Sequence, residues 1–422
     1  MASTARRKRD VPVTILTGFL GSGKTTLMNH ILNDATHGMK FAVIENEFGQ
    51  VGVDEKILSE NVNEELVEVM NGCICCTVRG DLVVALKKLY DRVIEFDGVI
   101  IETTGLADPA PICQTFFIDD DIREMYHLDS VITVTDAKYI LERLAEEKPE
   151  GVENEAVEQV AFADKILINK IDLADEAELV RIEKELRSIN PTAIFQRTEQ
   201  SKINPKDVLN LRAFDLQRVL DFDPEFLADT EHEHDSNVTS VSVKCEEPVN
   251  TNMLKNWIKR LIRVDGANLY RYKGLINVKD GDEKYVFQGV GMLFTGGFKG
   301  RWGKDEKRES RFVFIGKNLD PDLYRGGFLG CKEDGNLRFK VGTKVIANTG
   351  EWQRGTIVGQ WEEGFAYSIQ IDNDEKSVVY APVDVDNYVK AIEGIDNSSP
   401  SKGKLSPKKT TRNPPAKATS RR

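Results

Sequence analysis

The chain has 422 residues, more than one hydrophobic core usually organises, so two or three domains are expected. Apolar residues make up 40% and charged residues 30%, which excludes a disordered chain, and no apolar run reaches membrane-spanning length. The formal charge of −12 is uneven, because residues 399–422 carry eight Lys or Arg and no acid. The remaining body is strongly acidic, which argues against nucleic-acid binding by it.

Residues 1–10 form a basic arm that leads into VPVTILTG without the apolar stretch and small-residue cleavage site of a secretory signal. A cytoplasmic protein is expected. From 11 to 229, buried strands predicted at 13–16, 41–45, 98–102, 130–135 and 165–169 alternate with helical periodicity. That βαβ rhythm predicts an α/β domain with a mostly parallel sheet and flanking helices.

Residues 230–237 are short and polar and read as a linker. From 238 to 331, a strand NVTSVSVKC precedes a helix on which Met253, Leu254, Trp257, Ile258, Leu261 and Ile262 fall at helical spacing. Strands LYRYKGLINV, YVFQGV and SRFVFIGK follow, so a small α+β domain is predicted. Residues 338–394 hold four short strands between Gly, Asn and Asp turns, the pattern of a small all-β barrel of SH3 or Tudor type. Its aromatics Trp352, Trp361, Phe365, Tyr367 and Tyr380 suit a packed interior, a protein-docking surface or a cage for methylated lysine. Residues 395–422 read as a solvated basic tail.

Three motifs carry chemistry. Gly18-Phe-Leu-Gly21-Ser22-Gly23-Lys24-Thr25, followed by Thr26, satisfies the P-loop pattern between a strand and a helix. Its amides can surround phosphate oxygens, Lys24 can reach the β and γ phosphates, and the Thr25 hydroxyl can ligate Mg²⁺. Asn169-Lys170-Ile171-Asp172 at a strand end matches NKxD, where the Asp172 carboxylate can accept the N1 and 2-amino hydrogens that guanine has and adenine lacks. GTP is therefore the expected nucleotide. Between them, GVIIE ends on Glu102, three residues before Gly105. Glu102 is expected to act through Mg²⁺-bound water or to orient the attacking water, and the Gly105 amide to sense the γ phosphate. Asp54 is a further candidate for Mg²⁺.

The third motif is Asn71-Gly72-Cys73-Ile74-Cys75-Cys76, which holds three of the six cysteines within four residues. So tight a cluster offers two or three sulfurs and needs an oxygen or nitrogen ligand from elsewhere, for which Glu45 or Glu47 is the natural source. The soft donor set favours Zn²⁺ over Co²⁺, Ni²⁺ and Cu(I). Redox-active thiols and inert buried cysteines remain alternative readings of the same residues.

GFLGSGKTTL, ENEFG, NGCICC, ETTGLADP and NKID in this order resemble the CobW-like family of P-loop GTPases, and RYKGLI, FQGV and RFVFIG are similar to the family's C-terminal domain. The likeness runs over 11–329 and is closest in kind to the zinc-regulated GTPase metallochaperones. It implies that Gly18 to Thr25 bind phosphate, that Glu102 stands at the family's characteristic Glu, and that Cys73, Cys75 and Cys76 with a nearby acid hold metal. It also implies a client metalloprotein, for the eukaryotic branch a zinc-dependent methionine aminopeptidase. Two departures stand out: only Glu231-His232-Glu233-His234 remains where family members often carry a long His-rich stretch, and the β-rich module with its tail is additional and suggests an added protein partner. A signalling GTPase with redox-sensing thiols and a GTP-linked metal store are the competing functions.

Overall fold

The computed structural model describes residues 10–45, 78–94, 96–149, 152, 154–216, 238–279, 281–332, 337–362, 365–381, 384 and 386–392. β1 (Val11–Thr17), β2 (Phe41–Glu45), β3 (Gly98–Glu102), β4 (Tyr126–Asp136), β5 (Lys165–Asn169) and β6 (Ile194–Arg197) form a parallel sheet in the order β2-β3-β1-β4-β5-β6. Strand β6 adds to the five expected. The helices between them are α1 (Lys24–Asn33), α2 (Val78–Tyr90), α3 (Ala110–Ile118), α4 (Asp120–Met125), α5 (Ile140–Leu144), α6 (Glu155–Phe162) and α7 (Glu176–Ile189).

The strands read as unbroken apolar runs because both faces are covered. Val13, Ile15, Val99 and Ile101 pack with Leu86, Phe116 and Val160, whereas Leu16, Ile100, Val134 and Leu167 pack with Leu27, Met28 and Ile31. Chain progression reverses at β1, which lies between β3 and β4. In an open α/β sheet, the crevice beyond the carboxyl ends of the strands at such a reversal is where ligands bind.

A second sheet of β7 (Val238–Cys245), β8 (Leu269–Ile276), β9 (Glu283–Val290), β10 (Leu293–Arg301) and β11 (Ser310–Lys317) is antiparallel in the order β10-β9-β8-β11-β7. Helix α8 (Thr251–Asp265) starts at Asn250, whose side-chain oxygen accepts from Asn252 N at 2.9 Å and Met253 N at 3.2 Å. The expected stripe is buried at Leu254, Trp257, Ile258 and Leu261. Those four side chains contribute about 6–12 kcal/mol before conformational entropy is subtracted. The Trp257 ring meets Phe312 and Phe314 of β11 and Phe328 of α9 (Pro321–Leu329).

The third sheet, β12 (Lys344–Asn348), β13 (Trp352–Gln360), β14 (Tyr367–Ile371), β15 (Val378–Ala381) and β16 (Val389–Ala391), runs antiparallel in the order β15-β14-β13-β12-β16. Its last strand returns to pair with its first, the closure an SH3-like barrel uses. The five aromatics serve separate contacts rather than one cage. Tyr367 is in the core and its hydroxyl accepts from Phe339 N at 2.9 Å. Trp361 stands against Gly330 after α9, Phe365 and Tyr380 pack with ring centroids 5.0 Å apart, and Lys390 lies 4.4 Å from the Trp352 ring centroid.

A buried seam joins the first two sheets. Asp164, just before β5, accepts from the Arg271 guanidinium and, at 3.3 Å, from the Lys273 ammonium, both on β8. Burial, helped by the neighbouring Arg271 charge, pushes the Lys273 ammonium down to about 8 despite Asp164. Beside it the Tyr270 hydroxyl donates to Glu158 of α6 at 3.2 Å. Such a pair sets geometry more than net stability. Among the described residues no helix is long and apolar enough to cross a membrane.

Candidate nucleotide site

The turn from β1 to α1 carries Gly18, Gly21, Ser22, Gly23, Lys24, Thr25 and Thr26 at the reversal point of the first sheet. Helix α1 has no acid in its first turn, so its N-terminal amides keep their attraction for an anion. Gly23 precedes the helix at φ 114°, and a Cβ there would stand 2.4 Å from the Asn169 amide nitrogen. Only glycine fits, on both counts.

The Lys24 ammonium donates to Gly18 O at 2.7 Å and Phe19 O at 3.3 Å, so it is stretched back along the loop where phosphates would lie. The Ser22 hydroxyl oxygen is buried and has no hydrogen-bond partner among the described residues. Thr25 Oγ1 donates to Glu102 Oε1 at 2.7 Å, which joins the start of α1 to the end of β3. A hydroxyl and a carboxylate, both hard oxygen donors beside a phosphate cradle, suit Mg²⁺.

Beyond β3 the chain passes directly over the P-loop: a Cβ on Gly105 would lie 2.4 Å from Leu20 N. That loop is held from behind by Gln159 of α6, whose amide donates to Gly105 O at 3.1 Å and Ala107 O at 3.3 Å. Gln159 was not anticipated. A polar residue buried beside Glu158 in a helix whose other buried residues are apolar is the signal it offers.

At the end of β5, Asn169 is 2% exposed and its amide group is fully engaged. It donates to Ser22 O and to Ser201 Oγ, each at 3.0 Å, and accepts from Ser201 N at 2.8 Å and Thr198 Oγ1 at 3.2 Å. Ser201 Oγ in turn donates to Gly23 O at 3.0 Å. Asn169 therefore ties the P-loop to the loop after β6. Gln200 and Ser201 hold left-handed backbone at φ 52° and 54°, strain that persists where the surroundings fix it. The polar run Thr198–Lys202 after a strand was the available sign of this loop.

Lys170 also has left-handed backbone, at φ 60°, and its ammonium pairs with Asp136 at the end of β4. Asp172 is exposed. Replacing Asp172 by Asn is expected to reverse the preference between GTP and xanthosine triphosphate, because the amide then donates to the xanthine 2-oxygen. Competitive displacement of a fluorescent GDP measures it; an unchanged preference would remove Asp172 from the base site.

Glu45 lies at the end of β2 in register with Glu102 of β3. Glu47, Asp54, Cys73, Cys75 and Cys76 lie outside the described residues. Among the described residues no group of three or more His, Cys, Asp and Glu side chains could hold a metal.

A family model described as the CobW/HypB/UreG nucleotide-binding domain matches residues 12–197, and one described as the cobalamin synthesis protein cobW C-terminal domain matches residues 238–332. The third sheet lies outside both. Zinc chaperone YjiA of Escherichia coli (strain K12) is 37% identical over 328 residues, covering 76% of this chain and 99% of that protein. Zinc-regulated GTPase metalloprotein activator 1 of Dictyostelium discoideum is 35% identical over 299 residues, covering 63% of this chain and 62% of that protein. The crystal structure of Zn(II)-bound YjiA GTPase from E. coli matches with a TM-score of 0.63 at 32% identity, over 77% of this chain and all of that one.

Proposed function

The chain belongs to the CobW/HypB/UreG family of P-loop GTPases, and we propose that it carries zinc as cargo and passes it to a client metalloprotein in step with GTP hydrolysis. In this reading Cys73, Cys75 and Cys76 hold the ion with a carboxylate from Glu45 or Glu47. The observation that supports it is the register of β2 on β3. Glu45 stands beside Glu102, so the segment bearing the cysteines leaves the sheet one strand away from the acid that touches Thr25. Cargo and γ phosphate would then act on neighbouring strand ends, and their coupling is a reciprocal free energy. The names of the relatives, zinc chaperone and zinc-regulated activator, point the same way.

Hydrolysis to GDP and phosphate is served by positioning and charge. The amides from Gly21 to Thr25 bind the β phosphate, and Lys24 exchanges its two carbonyl partners for phosphate oxygens, a stronger charge-assisted pairing. Bound Mg²⁺ would neutralise phosphate charge, with Thr25 and Glu102 as its protein partners. The Gly105 amide meets the γ phosphate and Glu102 orients water near it. Asp172 reads the guanine edge. The client is a zinc enzyme, with a zinc-dependent methionine aminopeptidase as the first candidate to test.

A zinc competition titration against a chromophoric chelator tests the proposal, with the protein loaded with GDP or with a non-hydrolysable GTP analogue plus Mg²⁺. The expected result is an affinity difference of at least tenfold, about 1.4 kcal/mol of coupling. Equal affinities would overturn nucleotide-gated carriage in favour of storage, and no zinc binding would hand the cysteines to redox sensing.

A further inference from the structure

The pairing of Asp136 with Lys170 has no place in the P-loop chemistry, yet it engages a carboxylate buried at the site. Asp136 closes β4 and stands in register with Asn169, which closes β5. It is 1% exposed. One carboxylate oxygen accepts from Lys138 N at 2.8 Å, and the other receives the Lys170 ammonium. Ala137 N then donates to Asn169 O at 2.8 Å, which locks the two strand ends together. The Lys170 side chain keeps 34% of its surface exposed although its charge is taken up.

We propose that Asp136 is a positioning residue for guanine recognition, acting through Lys170. Two consequences follow from elementary electrostatics. First, with its ammonium tied to the buried carboxylate, the lysine leaves its methylene stem as an extended apolar shelf on which one face of the purine can rest. Second, the pairing keeps the ammonium away from Asp172, only two residues along the chain. An unrestrained Lys170 would find the exposed Asp172 carboxylate its closest opposite charge on the loop and would cap the group that must meet the guanine edge. The left-handed backbone at Lys170, unusual for a residue with a Cβ, is held by the same arrangement: Ile171 N reaches Thr198 O at 3.4 Å on one side while Asp136 restrains the side chain on the other. The inference rests on the NKxD segment being the guanine site, and its test separates the two.

The experiment is a double-mutant cycle on the full chain, read by the Kd of a fluorescent GDP. Asp136→Asn keeps the shape of the side chain and removes its charge; Lys170→Met keeps the stem and removes the ammonium. Asp136→Asn is expected to raise the Kd about tenfold, ~1.4 kcal/mol. In the Lys170→Met background the same change is expected to have less than a twofold effect, because no ammonium is left to misplace. A purely structural aspartate would instead give the same loss in both backgrounds, and that additivity overturns the proposal. So does an unchanged Kd for Asp136→Asn in protein with wild-type thermal stability. If Asp136→Asn does not fold, Asp136→Glu in both backgrounds replaces it, with a loss confined to the Lys170 background expected and equal losses overturning the proposal. Wild-type protein that fails to bind GDP overturns the GTPase reading together with this one, whereas wild-type binding with additive losses overturns this one alone.

Discussion

Asn169→Ala is expected to weaken GTP and GDP binding about 100-fold, ~2.7 kcal/mol, and to lower the midpoint of thermal unfolding measurably in nucleotide-free protein. The size follows from what the amide holds. Its two donors reach Ser22 O and Ser201 Oγ at 3.0 Å, and its oxygen receives Ser201 N at 2.8 Å and Thr198 Oγ1 at 3.2 Å. Alanine leaves these groups buried with fewer partners, at about 1–3 kcal/mol for each that is not resatisfied. Water entering the space recovers part of that, so the loss is smaller than the sum. Nucleotide affinity falls further than stability because the Ser22 carbonyl belongs to the P-loop turn itself. Isothermal titration of GDP, with differential scanning calorimetry of the same preparations, measures both. A stability loss with unchanged nucleotide affinity would show that the P-loop keeps its shape without this tie.

The Asn169 result also marks what a sequence can convey about such a site. NKxD is recognisable because four residue types occur together at a strand end, and the position of the motif was legible. The division of labour inside it was not, since the partners of Asn169 lie 147 residues before it, at Ser22, and 32 after it, at Ser201. Only the fold brings those together. Glu102 and Thr25 were legible as separate motifs; their 2.7 Å contact depends on β3 lying directly beside β1, a strand order that no local pattern encodes.

The same distinction runs through the fold. The five central strands were legible because continuous apolar runs survive only where both sheet faces are covered. Strand β6 was missed because it is an edge of four residues, Ile-Phe-Gln-Arg, with Ile194 62% exposed. Strand β10 was missed because LFTGGFKGR has three glycines and no clean alternation; it holds its place by pairing with β9 and by the Phe294 and Phe298 rings on Phe287 and Tyr285. Helix α9 hides behind its adjacent Gly326 and Gly327, which lower helix propensity, and is set by Pro321 in the first turn and the Asp320 cap. The β-rich module was legible as strands and turns, but the fate of its aromatics was not: Tyr367 faces the core, whereas Trp352 is 44% exposed beneath Lys390.

Replacing Cys75 and Cys76 together by Ser is expected to lower zinc affinity by at least 1,000-fold, about 4.1 kcal/mol, while changing GDP affinity less than twofold. The first number follows from ligand chemistry. A serine hydroxyl stays protonated at neutral pH and is a poor partner for zinc, so the variant retains one thiolate, Cys73, and whatever carboxylate completes the set. Structural zinc sites with full thiolate or imidazole sets hold on the order of 10–16 kcal/mol, and loss of two of three sulfurs removes a large part of it. The second number follows from the architecture. The phosphate turn, Thr25, Glu102 and the Asn169 tie belong to β1, α1, β3 and β5, whose apolar faces pack into the core of the first sheet. Reciprocity supplies the sharper readout. In the wild type, zinc must shift GTP affinity by the same factor by which GTP shifts zinc affinity. In the double variant that zinc dependence of GTP binding should vanish, although GTP itself still binds. Tight zinc binding retained by the variant would overturn the assignment of the cysteines, and a GTP affinity that still responds to zinc would place the responsive ion elsewhere on the chain.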